Sequence, residues 1–165
     1  DILEAIEEAR KHSPNIHLVG HSLGGPSIVL AKPKTVKSIT LWDTTSTKWL
    51  HQHDPKIFIQ SPELNAVIIK WGTESLMSKK MLNEMESFTP ISELVADNEV
   101  PLHVIVAEDG LKEENSNNRY CKEYYDYAKG KRKYTIIKGA SHCFDEEGVE
   151  EQLFKKTLSF IKRNS

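Results

Sequence analysis

Three kinds of side chain that together can perform acyl transfer occur in this sequence, each in its own short segment. Ser22 lies in the run GHSLG, residues 20–24, with a glycine two positions away on either side. A pair of carboxylates, Glu108 and Asp109, follows one apolar run, and His142 follows another. A serine hydroxyl is a weak nucleophile that needs a neighbouring base, and a histidine oriented by a carboxylate can supply that base. These residue types therefore predict nucleophilic attack on a carbonyl carbon.

The segment around Ser22 has the pattern of a nucleophile elbow. Residues 16–19 form a short, mainly apolar run typical of a buried strand, and residues 26–31 favour a short helix. A G-x-S-x-G motif indicates catalysis when it lies in such a strand, sharp turn and helix. Because Gly20 and Gly24 have no Cβ, we expect strand and helix to approach closely and to hold Ser22 in a strained backbone conformation. An ordinary glycine turn with a capping serine is the alternative interpretation.

The elements that would position these residues alternate along much of the chain. Apolar runs predict three further strands, at 36–42, 101–107 and 133–137. Strand, helix and strand at this spacing predict a right-handed parallel unit, so the chemical residues are expected at the carboxyl ends of its strands. Residues 43–47 are expected to leave the sheet as a polar loop. Three flanking helices are predicted from apolar residues at helical spacing. The first covers 1–12, and the second carries Tyr120, Tyr124 and Tyr127, which we expect to pack. The third covers 147–163, and we expect it to bury Val149, Leu153, Phe154, Leu158 and Ile161.

Residues 49–98 interrupt this alternation, and we expect them to form a helical insertion. Pro62 is typical of a helix start, and the apolar residues that follow have helical spacing (Leu64, Val67, Ile68 and Trp71, ended by Gly72, then Met77, Met81, Leu82 and Met85). The segment is longer than a connection between two parallel strands requires. It therefore predicts a cap over the carboxyl end of the sheet that could wall a pocket, although the methionines could equally be core residues.

Composition and charge narrow the function classes. The net charge of the 165-residue chain is -2, and the short basic stretch at 129–133 is expected to be a solvated turn, so nucleic acid is not an expected partner. No apolar run approaches membrane-spanning length, and we expect no signal peptide ahead of the motif. Cys121 and Cys143 are too few for a disulfide framework, which favours the cytoplasm. We expect neither a metal nor a cofactor, and we interpret the run HQHD at 51–54 as a surface loop rather than a metal site.

With these segments identified, the chain resembles the α/β-hydrolase superfamily over nearly its whole length. Residues 20–25 match the nucleophile elbow, 101–109 the acid-bearing strand and 139–142 the histidine loop. The order Ser, acid, His is the one that this superfamily uses. Among its subfamilies the chain looks most like small carboxylesterases, including the cinnamoyl and feruloyl type, because His142 is followed by Cys-Phe-Asp.

The resemblance implies a serine hydrolase that cleaves small-molecule carboxylic esters through an acyl-enzyme. Ser22 would be the nucleophile, His142 the general base and Asp109 the acid, with the Leu23 backbone N–H as one donor to the oxyanion. The superfamily usually has a glycine two or three residues before the acid, where this chain has alanine, so Glu108 remains an alternative. A thioesterase or peptidase of the same fold, and a non-catalytic binding module, are the other functions that fit.

The resemblance also implies strands ahead of the elbow strand, whereas this sequence opens within a predicted helix. We therefore expect residues 1–165 to be a single, partial α/β-hydrolase domain, a parallel sheet with flanking helices and a helical cap insertion at about 49–98. The elbow strand would then lie at an exposed parallel edge, which is unfavourable for a soluble protein. Either a longer hydrolase contains the missing N-terminal segment, or a second chain completes the sheet.

Overall fold

The computed structural model describes residues 1–45, 58–71, 73–87, 89–112 and 120–165. In chain order its elements are α1 (Ile2–Arg10), β1 (His17–His21), α2 (Gly24–Leu30), β2 (Ser38–Trp42), β3 (Phe58–Ser61), β4 (Ala66–Trp71), β5 (Thr73–Ser78), α3 (Lys79–Glu86), α4 (Ile91–Leu94), β6 (Leu102–Ala107), α5 (Cys121–Tyr127), β7 (Arg132–Ile137) and α6 (Val149–Lys162). They form two compact units, Asp1–Ser46 with Ile91–Ser165 and, between them in sequence, Thr47–Pro90. The run at 51–54 and Gly72 lie outside the described residues.

The first unit is built on a four-stranded parallel sheet, which confirms the predicted fold class. The spatial order of its strands is β1-β2-β6-β7. The registers of Gly20 with Leu41 and of Leu41 with Val104 keep the carboxyl ends of β1, β2 and β6 at the same edge. Ser22 lies at that edge, and so do the residues that directly follow β2 and β6.

The two faces of this sheet differ in polarity. On one face Leu41 and Val104, both fully buried, pack with residues of α1, α2 and α5 in the main apolar cluster. The other face, beneath α6, includes His103, whose Nε2 lies 2.9 Å from Thr135 Oγ1 and whose ring centroid lies 4.9 Å from that of Phe160. Burial, aided by two nearby lysines, lowers the pKa of His103 to about 3, so this histidine is neutral and structural.

Helix α6 is less buried than its sequence pattern predicts. Val149 and Leu153 are buried as expected, but Phe154 and Leu158 are 45% and 53% exposed. Val19, on the edge strand β1, is also 41% exposed. These three large apolar side chains of the first unit are thus among those that remain in contact with solvent. Among the described helices, none combines the length and the apolar character that crossing a bilayer requires.

The second unit is not the helical insertion that the sequence predicts. Its strands β3, β4 and β5 form an antiparallel sheet, and only α3 among its described elements is helical. Val67 and Ile69 are buried, whereas Lys70 is exposed, so burial there follows the two-residue period of a strand. Leu64 lies in the turn before β4 and is 61% exposed. β-branched residues at 67–69 favour this strand over the helix that Pro62 suggested. That this unit lies as a cap over the carboxyl end of the parallel sheet stays a prediction.

Candidate active site

The turn at Ser22 has the geometry of a nucleophile elbow. Ser22 connects β1 to α2 with a φ of 53°, a left-handed conformation that side chains other than glycine rarely adopt. Its N–H donates to the carbonyl of Trp42 at 3.0 Å, and its own carbonyl accepts from the N–H of Gly25 at 3.1 Å. These hydrogen bonds hold a strained serine at the tip of the turn.

Two glycines permit the close packing around the turn at Ser22. They are Gly20, which belongs to the G-x-S-x-G motif, and Gly25, which directly follows it. A Cβ on Gly20 would lie 2.7 Å from the carbonyl oxygen of Gly24. A Cβ on Gly25 would lie 1.6 Å from Thr44 Oγ1, whereas a Cβ on Gly24 would meet no atom within 4 Å. The expectation that a missing Cβ is needed for close packing is therefore right for Gly20 and wrong for Gly24. Gly25 is the second glycine around this turn at which a Cβ would clash.

A continuous line of hydrogen-bonding atoms begins at the serine hydroxyl. His142, in the loop after β7, has its Nε2 3.1 Å from Ser22 Oγ. Its Nδ1 lies 2.6 Å from Asp43 Oδ2. The imidazole is 42% exposed at its side chain, and the carboxylate is buried at 2%. A ring held between a hydroxyl and a buried carboxylate can accept a proton on one nitrogen while the other stays protonated.

The carboxylate at His142 is Asp43, so the prediction of Asp109, with Glu108 as alternative, is corrected. Asp43 follows β2, the strand next to the elbow strand, and its Oδ1 also accepts the N–H of Ala107 at 3.0 Å. Its φ of 37° turns the residue back toward the sheet where a polar loop leaving the sheet was expected. The order Ser, acid, His is unchanged. An aspartate directly after the strand that neighbours the elbow was the available signal.

Glu108 and Asp109 contact the backbone of the histidine loop. Glu108 Oε2 accepts the N–H of Gly139 at 3.0 Å, and the N–H of Asp109 donates to the carbonyl of Ala140 at 3.1 Å. These bonds fasten the start of the segment that presents His142. The end of β6 therefore positions the loop, and the ring itself is oriented from β2.

Further contacts hold the same loop from other directions. His21 Nε2 lies 2.8 Å from the carbonyl oxygen of His142, and the centroids of the two rings are 4.8 Å apart. Glu146 Oε1 accepts the N–H of Ser141 at 2.8 Å. The hydrogen bonding from Ser141 lowers the pKa of the Glu146 carboxyl. The sequence motif includes His21, but sequence reasoning assigned it no role.

Two site predictions remain, the Leu23 backbone N–H as a donor and the absence of a metal site. Leu23, whose backbone N–H was predicted to face the oxyanion, precedes α2 with a helical φ of −62°. Its role as a donor stays a prediction. Within the described part of the chain, no group of three or more His, Cys, Asp or Glu side chains is arranged to hold a metal ion.

Comparisons with solved structures identify the fold. The esterase domain of a Rhodothermus marinus protein is 14% identical with a TM-score of 0.73, and the match covers 94% of this chain and 64% of that one. Est1E of Butyrivibrio proteoclasticus with bound ferulic acid is 18% identical with a TM-score of 0.73, covering 98% and 66%. Monoacylglycerol lipase of Paleococcus ferrophilus is 14% identical with a TM-score of 0.66, covering 99% and 74%.

The chain therefore has the α/β-hydrolase fold, as the sequence resemblance implied, and it spans about two thirds of the length of these structures. No protein-family model matches it, and no curated protein matches its sequence. At these identities the likeness extends to the fold, and the chemistry has to be argued from the site.

Proposed function

We propose that this chain carries the catalytic centre of a serine hydrolase that cleaves carboxylic esters. The observation that supports this most strongly is the line from Ser22 Oγ to His142 Nε2 at 3.1 Å and from His142 Nδ1 to Asp43 Oδ2 at 2.6 Å. The esterases and the lipase among the structures of this fold are consistent with it.

The reaction would proceed in two acyl-transfer steps. His142 Nε2 takes the hydroxyl proton as Ser22 Oγ attacks the carbonyl carbon of the ester, and Asp43 stabilises the imidazolium that forms. The N–H of Leu23 would donate to the oxyanion of the tetrahedral intermediate. The imidazolium returns its proton to the alcohol oxygen as the ester bond breaks, leaving an acyl group on Ser22. Water then attacks this acyl group as His142 takes one of its protons. The imidazolium returns that proton to Ser22 Oγ as the bond between Oγ and the acyl carbon breaks, and the carboxylic acid leaves.

A hydroxycinnamate ester is the substrate that we would test first. Two independent similarities support this choice, the Cys-Phe-Asp run after His142 and the fold shared with Est1E, which was solved with ferulic acid. Thioesters and peptides share the tetrahedral intermediate and belong in the same substrate panel.

The test of the nucleophile is covalent labelling with a fluorophosphonate, read alongside hydrolysis of a p-nitrophenyl ester. Ser22→Ala should abolish labelling and lower ester hydrolysis by several orders of magnitude. Ser13→Ala, which alters a serine in the turn before β1, is the matched control and should label like the parent. Labelling that persists in Ser22→Ala would reject the assignment, and a parent that does not label even with the N-terminal region present would favour a binding module.

We also propose that further strands, from a preceding segment or from a second chain, complete the sheet beside β1. Support comes from the position of β1 at the edge of the described sheet and from the exposure of Val19, Phe154 and Leu158. Residues 1–165 alone should then unfold without a sharp thermal transition and turn over esters slowly, and adding the N-terminal region should restore both. A sharp transition with full turnover from residues 1–165 alone would contradict this proposal.

For the cellular location we propose a reducing compartment such as the cytoplasm. Cys121 and Cys143 are both free thiols, the first buried and the second exposed. Mass measurement of the protein purified without reductant would test this, since a disulfide formed through Cys143 in the native source would contradict it.

A further inference from the structure

Helix α5 reaches the loop after β2 through two buried polar side chains. Cys121 Sγ donates to the carbonyl oxygen of Thr44 at 3.0 Å, and the hydroxyl of Tyr124 donates to the carbonyl oxygen of Thr45 at 2.8 Å. Both side chains belong to residues that are fully buried. The two carbonyls that they hold belong to the residues directly after Asp43.

The same loop residues also hold the nucleophile. The carbonyl oxygen of Ser22 accepts a hydrogen bond from Thr44 Oγ1 at 3.2 Å and another from the N–H of Thr45 at 3.2 Å. A shift of residues 44–45 would therefore move Asp43 and the elbow together. Through these bonds α5 is connected to both ends of the line of hydrogen bonds that passes through His142.

The thiol of Cys121 and the hydroxyl of Tyr124 both remain protonated, so each can donate a hydrogen bond. Burial, together with the charge of Asp43, raises the pKa of the Cys121 thiol, and burial raises the pKa of the Tyr124 hydroxyl. Each side chain therefore keeps its proton at neutral pH and can act as a donor. Because Thr44 and Thr45 are themselves buried, loss of either side-chain donor would leave a buried acceptor without the hydrogen bond it now has.

We propose that Tyr124 and Cys121 are positioning residues that set the carboxylate of Asp43 against His142 and the hydroxyl of Ser22 in line with it. This assignment goes beyond the packing role that the tyrosine stripe indicates, and it rests on the proposed serine-hydrolase function. Neither residue touches the reacting atoms. Their effect passes through the backbone of Thr44 and Thr45.

The test compares Tyr124→Phe with Tyr125→Phe in the protein used for the labelling experiment. Tyr125 is the next residue on the same helix, and its ring packs against Tyr134 with centroids 5.7 Å apart. Tyr124→Phe removes one hydrogen bond and should lower kcat about 2- to 13-fold with KM unchanged. Tyr125→Phe should leave kcat at the parental value.

A second pair of variants keeps the test independent of any loss of folding in Tyr124→Phe. Cys121→Ser retains a donor, whereas Cys121→Ala removes it, so Cys121→Ala should lower kcat more than Cys121→Ser. Thermal unfolding of all four variants separates a change in activity from a change in the folded fraction.

A readout that does not depend on turnover completes the design. The proton on His142 Nδ1, hydrogen-bonded to Asp43, is followed as a low-field resonance in the proton NMR spectrum. In Tyr124→Phe this resonance should shift or broaden, whereas in Tyr125→Phe it should match the parent. A parental kcat and an unchanged resonance in folded Tyr124→Phe would overturn the proposal.

The two proposals fail in different ways. If the parent did not label at Ser22, the proposed function would fall, and the resonance would still show whether α5 positions Asp43. If the parent labelled but the resonance and kcat were insensitive to Tyr124, only the positioning role would fall.

Discussion

The carboxyl ends of β2 and β6 lie next to each other, and each carries acidic residues, but they hold His142 in different ways. At the end of β2 the buried Asp43 carboxylate lies 2.6 Å from the imidazole. At the end of β6 Glu108 and Asp109 instead hydrogen-bond to the backbone at Gly139 and Ala140. One strand end orients the ring, and the other fixes the loop that presents it.

The difference shows that a carboxylate's role in this site depends on its backbone. Asp43 has a positive φ, and its N–H donates to the carbonyl of Ile105 at 2.7 Å. Its second carboxylate oxygen accepts the N–H of Ala107, so β6 supports the acid through its main chain. Two strands therefore cooperate to aim one carboxylate, and proximity to a strand end alone does not identify the acid.

The largest effect is expected when the carboxylate at the end of β2 is neutralised. Asp43→Asn keeps the shape of the side chain but can present an amide donor to Nδ1, which favours the wrong tautomer of His142. We expect kcat to fall by roughly 10⁴-fold. The measurement is steady-state ester hydrolysis, with thermal unfolding as the control for folding. A loss below tenfold would mean that another group orients the ring.

A smaller effect is expected from the contact that holds the histidine loop to β1. His21→Ala removes the hydrogen bond to the carbonyl of His142, which lies at 2.8 Å, and the ring contact beside it. We expect kcat to fall about 2- to 13-fold, the range that one net hydrogen bond represents. His12→Ala, at an exposed position beyond α1, is the matched control. Equal rates for the two variants would show that the loop is held without His21.

Substitutions of the two acidic residues at the end of β6 should have still smaller effects. Asp109→Asn should change kcat less than about 3-fold, because the single proton on His142 Nδ1 is already directed to Asp43 and the Asp109 contact to the loop uses the main chain. Glu108→Gln keeps an acceptor for the N–H of Gly139 and should be similarly mild. The assay is the one used for Asp43→Asn. A large loss in Asp109→Asn alone would restore it as the acid.

The smallest expected effect concerns the pH dependence of stability. The pKa of Glu146 is lowered in the folded protein because Ser141 hydrogen-bonds to it, so its contribution to stability is present above the ordinary glutamate value of 4.5 and is lost as pH falls below that value. Urea unfolding of the parent and Glu146→Gln should therefore differ more at pH 7 than at pH 3. An equal difference at both pH values would contradict the assignment.

Much of the fold could be predicted because its signals are local. The four parallel strands follow apolar runs, and the elbow at Ser22 follows a five-residue motif. His142 was identified because it lies just past the last strand. The contact between Asp43 and His142 was missed because it depends on a turn with a positive φ at Asp43 and on a hydrogen bond from Ala107, 64 positions away in sequence. Such long-range pairing leaves no periodicity in a single sequence.

The prediction of a helical insertion in the second unit was wrong for a different reason. Apolar residues at 64, 67, 68 and 71 match a helical stripe, but β-branched residues at 67–69 also fit a strand. Pairing of β4 with β3 and β5 on its two sides decided between them. Tertiary contacts can override a short helical pattern in this way.

The close approach of Gly25 to Thr44 has a consequence for how this site can evolve. A Cβ at position 25 would lie 1.6 Å from Thr44 Oγ1, so position 25 cannot gain a side chain while Thr44 keeps its present one. Related proteins should exchange these two positions as a pair, with alanine or serine at 25 accompanied by a smaller residue at 44. A mutational library that varies one position at a time should record position 25 as intolerant, whereas a library that varies both positions together should recover the compensated combinations.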